Sequence, residues 1–130
     1  MKMEAEMADS RPEDSHRLFA EHFNNGDLDA LVALYEDGAA FVPQPGSVVT
    51  GKGAIREALQ GFLATGGKIE VSTRYAVRSG DTALLSGEWR LSGTGQDGEP
   101  LDMGGKTTEV VRRQPDGRWL YVVDNPFGAD

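Results

Sequence analysis

The chain of 130 residues contains no cysteine, and this absence excludes thiolate zinc sites, iron–sulfur clusters and catalytic thiols. It costs no stability, because a chain of this length can bury roughly two thirds of its unfolded surface without disulfides or a structural metal. The only two histidines, His16 and His22, lie six positions apart on one predicted helix and therefore face different directions. We predict no metal and no cofactor.

Basic residues and long apolar runs are also scarce. Lys and Arg number 13 against 21 Asp and Glu, and a net charge of −8 repels a phosphate backbone, so nucleic acid is excluded as a partner. The longest apolar run, Ala30 to Tyr35, is far shorter than the ~20 residues that span a bilayer, and we predict no membrane association. The acidic N-terminus does not resemble a signal peptide, so we expect a cytoplasmic protein.

The remaining composition, 38% hydrophobic and 26% charged, is typical of one globular domain. Residues 1–12 show no periodicity and are predicted to be a flexible tail, with a single domain over residues 13–130. Helical spacing predicts one helix from Ser15 to Asn24, a second after Asp27 whose apolar face reaches Tyr35, and a third after Gly53.

The second half of the chain is predicted to be all strand. Turn sequences rich in Gly and Asp separate strands at residues 68–77, 82–92, 101–113 and 119–125, and a short apolar run at 39–42 predicts one more strand before the third helix. Consecutive strands joined by short turns predict an antiparallel meander. Three helices covering one of its faces would make an α+β fold.

Four stretches in this order resemble those of one known superfamily: NGDLDAL at 25–31, LYEDGA at 34–39, GKGAIRE at 51–57 and DGRW at 116–119. The combination is similar to the nuclear-transport-factor-2-like superfamily, in particular its ketosteroid-isomerase-like and SnoaL-like branches. The resemblance implies a curved sheet that wraps around a long helix to form a cone with an apolar pocket. It also implies a homodimer formed through the outer face of the sheet.

Two carboxylates in the last predicted hairpin, Glu109 and Asp124, are the candidate catalytic residues. With a two-residue or four-residue loop, Glu109 shares a face with Val111, Val122 and Asp124. With a three-residue loop at 115–117, Glu109 instead shares a face with Tyr121 and its alternate neighbours. The sequence leaves both registers open.

A carboxyl group enclosed by apolar residues is desolvated and can donate a proton near neutrality, which would leave Asp124 as the base. The resemblance implies that Glu109 stands where ketosteroid isomerases carry a protonated acid. However, Pro43 stands at the position of their general base and Phe19 at that of their oxyanion-hole tyrosine. We therefore do not expect steroid isomerisation by the family's usual residues.

Apolar positions on the predicted inner faces are the candidate ligand contacts, with ordinary core packing as the alternative interpretation. They are Phe19, Phe23, Phe41, Phe62, Trp89, Met103, Val111 and Val122. The favoured function is acid–base chemistry, such as isomerisation or cyclisation, on a small apolar carbonyl compound. The alternatives are a non-catalytic binding protein for a small apolar molecule and a dimeric interaction domain.

Overall fold

A computed structural model describes residues 10–95 and 97–128, and over these ranges it confirms the α+β class. The helices are α1 (Asp14–Asn24), α2 (Leu28–Val32) and α3 (Lys52–Leu63). The strands are β1 (Tyr35–Gln44), β2 (Ser47–Thr50), β3 (Lys68–Ser79), β4 (Thr82–Thr94), β5 (Pro100–Lys106), β6 (Thr108–Arg113) and β7 (Trp119–Asn125). None of these helices is long and apolar enough to cross a membrane.

The described strands form one seven-stranded sheet in the order β2-β1-β7-β6-β4-β3, with β5 paired to β4. The strand segments predicted after residue 68 pair antiparallel and form the predicted meander. The sheet as a whole is not purely antiparallel, because β1 runs parallel to β7 with Phe41 opposite Asp124. A parallel neighbour requires a long connection, and here β2, α3 and the rest of the sheet provide it. The first strand is thereby placed beside the last.

The single strand predicted at 101–113 is two strands that follow the same edge of β4. The start of β4 pairs with β6 and its end pairs with β5. The break falls at Thr107, whose backbone N–H donates to the carbonyl oxygen of Gly87 at 2.7 Å. The N–H of Gly87 in turn donates to the side-chain hydroxyl of Thr107 at 2.7 Å, so β4 stays hydrogen-bonded across the break.

The second helix is shorter than predicted. Asp27 caps it as expected, since its Oδ1 accepts the N–H of Ala30 at 3.1 Å, but the helix ends at Val32 and Tyr35 begins β1. The N–H of Tyr121 donates to the carbonyl oxygen of Leu34 at 2.8 Å, which draws the backbone into the sheet. A five-residue helix has little stability of its own, so strand pairing wins at Tyr35.

The core lies between the helices and the inner face of the sheet. α1 packs on β3 and β7, whereas α3 packs on β1 and β2. Leu31, Tyr35, Ile55 and Leu85 are completely buried there. Residues of the helices and of the sheet thus enclose one apolar interior, which holds the cavity described below.

The predicted tail, residues 1–12, lies mostly outside the described residues. Its last three residues are described and touch the domain, because the hydroxyl of Ser10 donates to the carbonyl oxygen of Gly117 at 2.7 Å and Pro12 is buried. These three described residues, which the sequence assigned to the tail, therefore contact the domain.

Candidate active site

A cavity of about 50 Å³ lies between α1, α3 and the inner face of the sheet. Most of its wall is aromatic or aliphatic, and its polar residues are His16, Thr107, Glu109, Tyr121 and Asp124. No Lys or Arg occurs among the described residues that line it. The cavity is therefore a small apolar space with one polar, acidic wall.

The register of β6 and β7 combines the two alternatives that the sequence left open. Near the turn, Val111 lies opposite Tyr121, and the N–H of Gln114 donates to the carbonyl oxygen of Arg118 across a three-residue loop. Val122 has no partner in this register, so beyond it Glu109 lies directly opposite Asp124. Because of this bulge, the carboxyl groups of Glu109 and Asp124 both lie on the cavity side of the sheet, and the side chain of Tyr121 lies on that side as well.

Glu109 is only 3% exposed and has a different environment at each of its two oxygens. Its Oε1 lies 2.9 Å from Nε2 of His16 and accepts the hydroxyl of Thr107 at 2.7 Å. Its Oε2 receives no hydrogen bond from a described residue. Since Glu109 lines the cavity, this second oxygen is available to a bound molecule.

His16 is 2% exposed and uses both ring nitrogens. Besides the Nε2 contact with Glu109, its Nδ1 lies 2.8 Å from Oγ1 of Thr73 on β3. Because a carboxylate only accepts, the hydrogen of this contact is on Nε2, and in the neutral form of the ring Nδ1 accepts from the threonine hydroxyl. His16 thus bridges the cavity wall and the strand next to α1.

Gly87 makes room for this histidine ring. A Cβ atom at this position would lie 2.9 Å from Cε1 of His16 and 2.8 Å from the carbonyl oxygen of Ser72. Glycine in the interior of a strand weakens it and often marks the close approach of another group. In β4, that group is the imidazole of His16.

Asp124 is 4% exposed, and its Oδ2 accepts the hydroxyl of Tyr35 at 2.5 Å. Burial, followed by the charge of Glu109, raises the pKa of Asp124 to about 7, although the Tyr35 hydrogen bond and His16 oppose the rise. Oδ1 receives no hydrogen bond from a described residue. Near neutrality, Asp124 is therefore poised to gain or lose a proton at the cavity wall.

The two tyrosines beside Asp124 serve as hydrogen-bond donors. Burial, followed by the neighbouring carboxylates, raises the pKa of both Tyr35 and Tyr121 well above 10, so both hydroxyl groups keep their protons. Tyr121 donates to the carbonyl oxygen of Ser15 at 3.0 Å, which ties the sheet to α1. Tyr35 uses its proton on Asp124.

Five of the eight predicted ligand contacts line the cavity: Phe19, Phe23, Phe41, Phe62 and Trp89. The other three do not. Met103 lies on β5, which pairs only with β4, and is 38% exposed. Val111 is completely buried in the core, and Val122 is the unpaired residue of the bulge. The predicted alternation did not allow for this bulge or for the break at Thr107.

Sequence reasoning missed His16, Tyr35 and Thr107. A signal for His16 existed, because it precedes Phe19 and Phe23 by three and seven residues and so shares their helix face. His22 lies off this face and does not line the cavity. No comparable pattern marked Tyr35, which local spacing assigned to a helix. Within residues 10–95 and 97–128, no cluster of three or more His, Asp and Glu is arranged to hold a metal ion.

Solved structures with the same architecture come from several bacteria. A conserved protein from Planctomyces limnophilus superposes with a TM-score of 0.76 at 18% identity, covering 88% of this chain and 91% of that one. A candidate dehydratase of the NTF2-like family from Streptomyces avermitilis gives 0.71 at 22% identity, covering 87% and 89%. A ketosteroid isomerase-like protein from Erwinia carotovora gives 0.71 at 18% identity, covering 88% and 90%. At these identities the similarity concerns the fold.

The fold is therefore similar to that of NTF2-like structures, a curved sheet closed by helices into a cone. The model of the SnoaL-like domain matches residues 16–122, so the chain belongs to the SnoaL-like domain family. The resemblance found in the sequence is confirmed. None of the curated proteins compared with the chain matches it.

Proposed function

We propose that this protein is a general acid–base enzyme that moves protons on a small, neutral, apolar carbonyl compound. The observation that supports the proposal best is the placement of Glu109 directly opposite Asp124 in an otherwise apolar cavity. Each carboxyl group is held by donors on one oxygen and presents the other. Two carboxyl groups in different environments are the usual means of separating an acid from a base.

The cavity wall supports a neutral and flat substrate. Aromatic rings such as those of Phe41 and Phe62, packed edge to face, present apolar surface to a bound molecule. The two carboxyl groups repel anions, and the lining residues offer no cation to hold one. The volume of about 50 Å³ is far below that of pockets for drug-sized ligands, which excludes compounds of several fused rings, such as steroids.

The hydrogen bonds support roles opposite to those predicted from the sequence. Two donors on Oε1 of Glu109 stabilise its carboxylate, whereas Asp124 has one donor and a pKa of about 7. In our proposal, Oε2 of Glu109 removes a proton from the carbon next to the carbonyl group. Asp124 holds its own proton towards the carbonyl oxygen as the enolate forms. Return of the proton to the γ carbon completes an isomerisation in which all atoms balance.

This proposal is tested with β,γ-unsaturated cyclohexenone, whose conversion to the conjugated ketone is followed by ultraviolet absorbance. We expect the wild-type protein to accelerate the conversion and the double variant Glu109→Gln/Asp124→Asn to lose the acceleration. Each substitution keeps the size of the side chain but removes its exchangeable carboxyl proton. Equal rates for the two proteins, with both folded by circular dichroism, would contradict the assignment.

A non-catalytic binding protein is the second candidate, supported by Pro43 and Phe19 at the positions where the family's base and tyrosine are expected. Calorimetric titration with the same ketone separates the two candidates. Stoichiometric binding without conversion would favour the binding protein.

We also propose that the protein forms a homodimer through the outer face of its sheet. A row of apolar residues crosses four strands there, because Val77 pairs with Leu84, Leu84 with Val110, and Val110 with Val123. Val77 is 59% exposed, and Leu84 and Val123 are also exposed. A continuous exposed apolar patch on a sheet is typical of an interaction surface, and a second copy presents a matching row.

Leu84→Arg is expected to raise the dissociation constant of this dimer at least about tenfold, because burying an unpaired charge at the centre of an interface is costly. Analytical ultracentrifugation measures the change. Val48→Arg is the matched control, since Val48 is an exposed apolar residue of β2 outside the row. A monomeric wild-type protein, or a Leu84→Arg variant as dimeric as the control, would refute the interface.

A further inference from the structure

We propose that Tyr35 is a positioning residue that places the proton of Asp124 on the carboxyl oxygen facing the cavity. The inference rests on the proposed acid–base function and deepens it, because it says how the candidate acid presents its proton to a substrate. Asp124 has two carboxyl oxygens, and only a proton on the oxygen that faces the cavity can reach a bound carbonyl group.

A hydrogen bond distinguishes the two oxygens of Asp124. Oδ2 accepts the hydroxyl of Tyr35 at 2.5 Å, whereas Oδ1 receives no hydrogen bond from the part of the chain that the structure describes. Asp124 lines the cavity, but Tyr35 is not among the described residues that do so. Tyr35 therefore approaches Asp124 from within the protein, and Oδ1 is the oxygen left for a bound molecule.

This bond selects the site of the proton because the two oxygens of a neutral carboxyl group differ. One is a carbonyl oxygen, which accepts, and the other carries the hydrogen and donates it. The oxygen that accepts the short hydrogen bond from Tyr35 is favoured as the carbonyl oxygen, so the acidic hydrogen goes to Oδ1. Burial, followed by the charge of Asp124, raises the pKa of Tyr35 well above 10, so Tyr35 stays a donor around neutral pH.

Packing holds the ring of Tyr35 in place. The residue is completely buried, its ring centroid lies 5.0 Å from that of Tyr121, and the ring of Phe41 meets it edge to face with 6.2 Å between centroids. In the parallel pairing of β1 with β7, Tyr35 lies opposite Tyr121 and Phe41 lies opposite Asp124. The strand register and the ring contacts together direct the phenol hydroxyl at the carboxyl group.

The first test needs no substrate and measures the pKa of Asp124 by nuclear magnetic resonance. The protein carries ¹³C in its aspartate carboxyl groups, and the signal that is missing in Asp124→Asn identifies Asp124. Tyr35→Phe keeps the ring but removes a donor that stabilises the carboxylate. We expect it to raise the pKa of Asp124 from about 7 by about one unit. An unchanged or lower pKa would overturn the proposal.

Tyr121→Phe is the matched control, because it removes an equally buried phenol hydroxyl that donates to a backbone carbonyl oxygen of α1 and not to Asp124. It should leave the pKa of Asp124 close to the wild-type value. Besides the two tyrosines, the ionisable groups that face Asp124 are Glu109 on β6 and His16 on α1, and both variants retain them. An equal rise in Tyr35→Phe and Tyr121→Phe would count against a specific bond and overturn the proposal.

A second measurement keeps the hydroxyl group and serves even if Tyr35→Phe does not fold. The chain has three tyrosines, so in Tyr75→Phe/Tyr121→Phe the analogue 3-fluorotyrosine replaces Tyr35 alone. Fluorine makes the phenol a stronger hydrogen-bond donor. We expect the pKa of Asp124 to be lower in the fluorinated protein than in the same double variant with ordinary tyrosine. An equal or higher pKa would contradict the proposal.

The third test follows the isomerisation of β,γ-unsaturated cyclohexenone over a range of pH. We expect Tyr35→Phe to lower kcat by about tenfold and to leave KM within about twofold of wild type, because the carboxyl group loses its orienting contact while the cavity wall is unchanged. The decline of kcat/KM at high pH should move up by about one unit with the pKa of the free acid. A general loss of stability would not move this decline.

The outcomes separate this inference from the proposed function. If the wild-type protein does not convert the ketone but the pKa of Asp124 shifts as expected, the proposed function fails and the control of Asp124 by Tyr35 stands. If the ketone is converted and Tyr35→Phe has the kcat and the pH profile of the wild type, the proposed function stands and Tyr35 is not a positioning residue.

Discussion

Replacing Glu109 with glutamine is expected to lower the rate of cyclohexenone isomerisation by about two to four orders of magnitude. Glutamine occupies the same space and can still bond with His16 and Thr107, but its amide cannot take a proton from carbon. Asp124→Asn should lose less activity, because an asparagine N–H can still donate to the carbonyl oxygen. The order of the two losses tests which carboxyl group is the base.

Glu57→Gln is the matched control, because it makes the same change on an exposed residue of α3. It should retain the wild-type rate. Because Glu109 is buried, its replacement could also destabilise the fold. Circular dichroism and thermal unfolding are used to check that Glu109→Gln is folded. A greater loss in Asp124→Asn than in Glu109→Gln would reverse the two roles and restore the assignment first made from the sequence.

Asp124→Asn is expected to remove much of the pH dependence of the free energy of unfolding. Burial raises the pKa of Asp124 from 3.8 to about 7, so the folded protein binds this proton more tightly than the unfolded chain. As the pH rises from 3.8 to about 7, the free energy of unfolding of the wild-type protein should fall by up to about 4 kcal/mol. Each unit of pKa difference corresponds to about 1.4 kcal/mol. The loss is complete above the folded pKa.

Urea unfolding at about pH 4 and about pH 8 measures this effect as a difference between wild type and variant. The variant should gain stability relative to wild type at the higher pH, since an amide does not ionise. Glu109, Tyr35, Tyr121 and His16 face Asp124 and are present in both proteins, so the difference isolates the carboxyl group of Asp124. Asp37→Asn, at a fully exposed side chain, should show no such difference. A wild-type stability that rises with pH relative to Asp124→Asn would contradict a raised pKa.

Helices and turns that depend on residues close together in the chain could be predicted from the sequence. The first helix follows from the spacing of Leu18, Phe19 and Phe23, and the turns follow from their glycines, such as Gly117 with a φ of 91°. The same spacing placed Phe19 and Phe23 on an inward face, where the structure has them. The resemblance to a superfamily then supplied the cone, which no local pattern contains.

The pairing of the strands was harder to predict, because it depends on residues far apart in the chain. The parallel contact of β1 with β7 and the shared edge of β5 and β6 on β4 leave no signal in the spacing of either strand. Tyr35 shows the consequence. It fits an apolar helix face, yet the sheet bond at Leu34 makes it the start of a strand, and its hydroxyl then reaches Asp124.

From the sequence alone one could predict the class of fold, most of the helices and strands, and the two candidate carboxyl groups. The meeting of these two groups depends on long-range strand pairing, since one unpaired residue, Val122, sets the register that places Glu109 opposite Asp124. The tertiary structure also supplied His16 and Tyr35, which are 93 and 89 residues away from the carboxyl groups they contact. Periodicity reports which face a side chain takes within its own element. The environment of a buried carboxyl group depends on which other elements pack against that face.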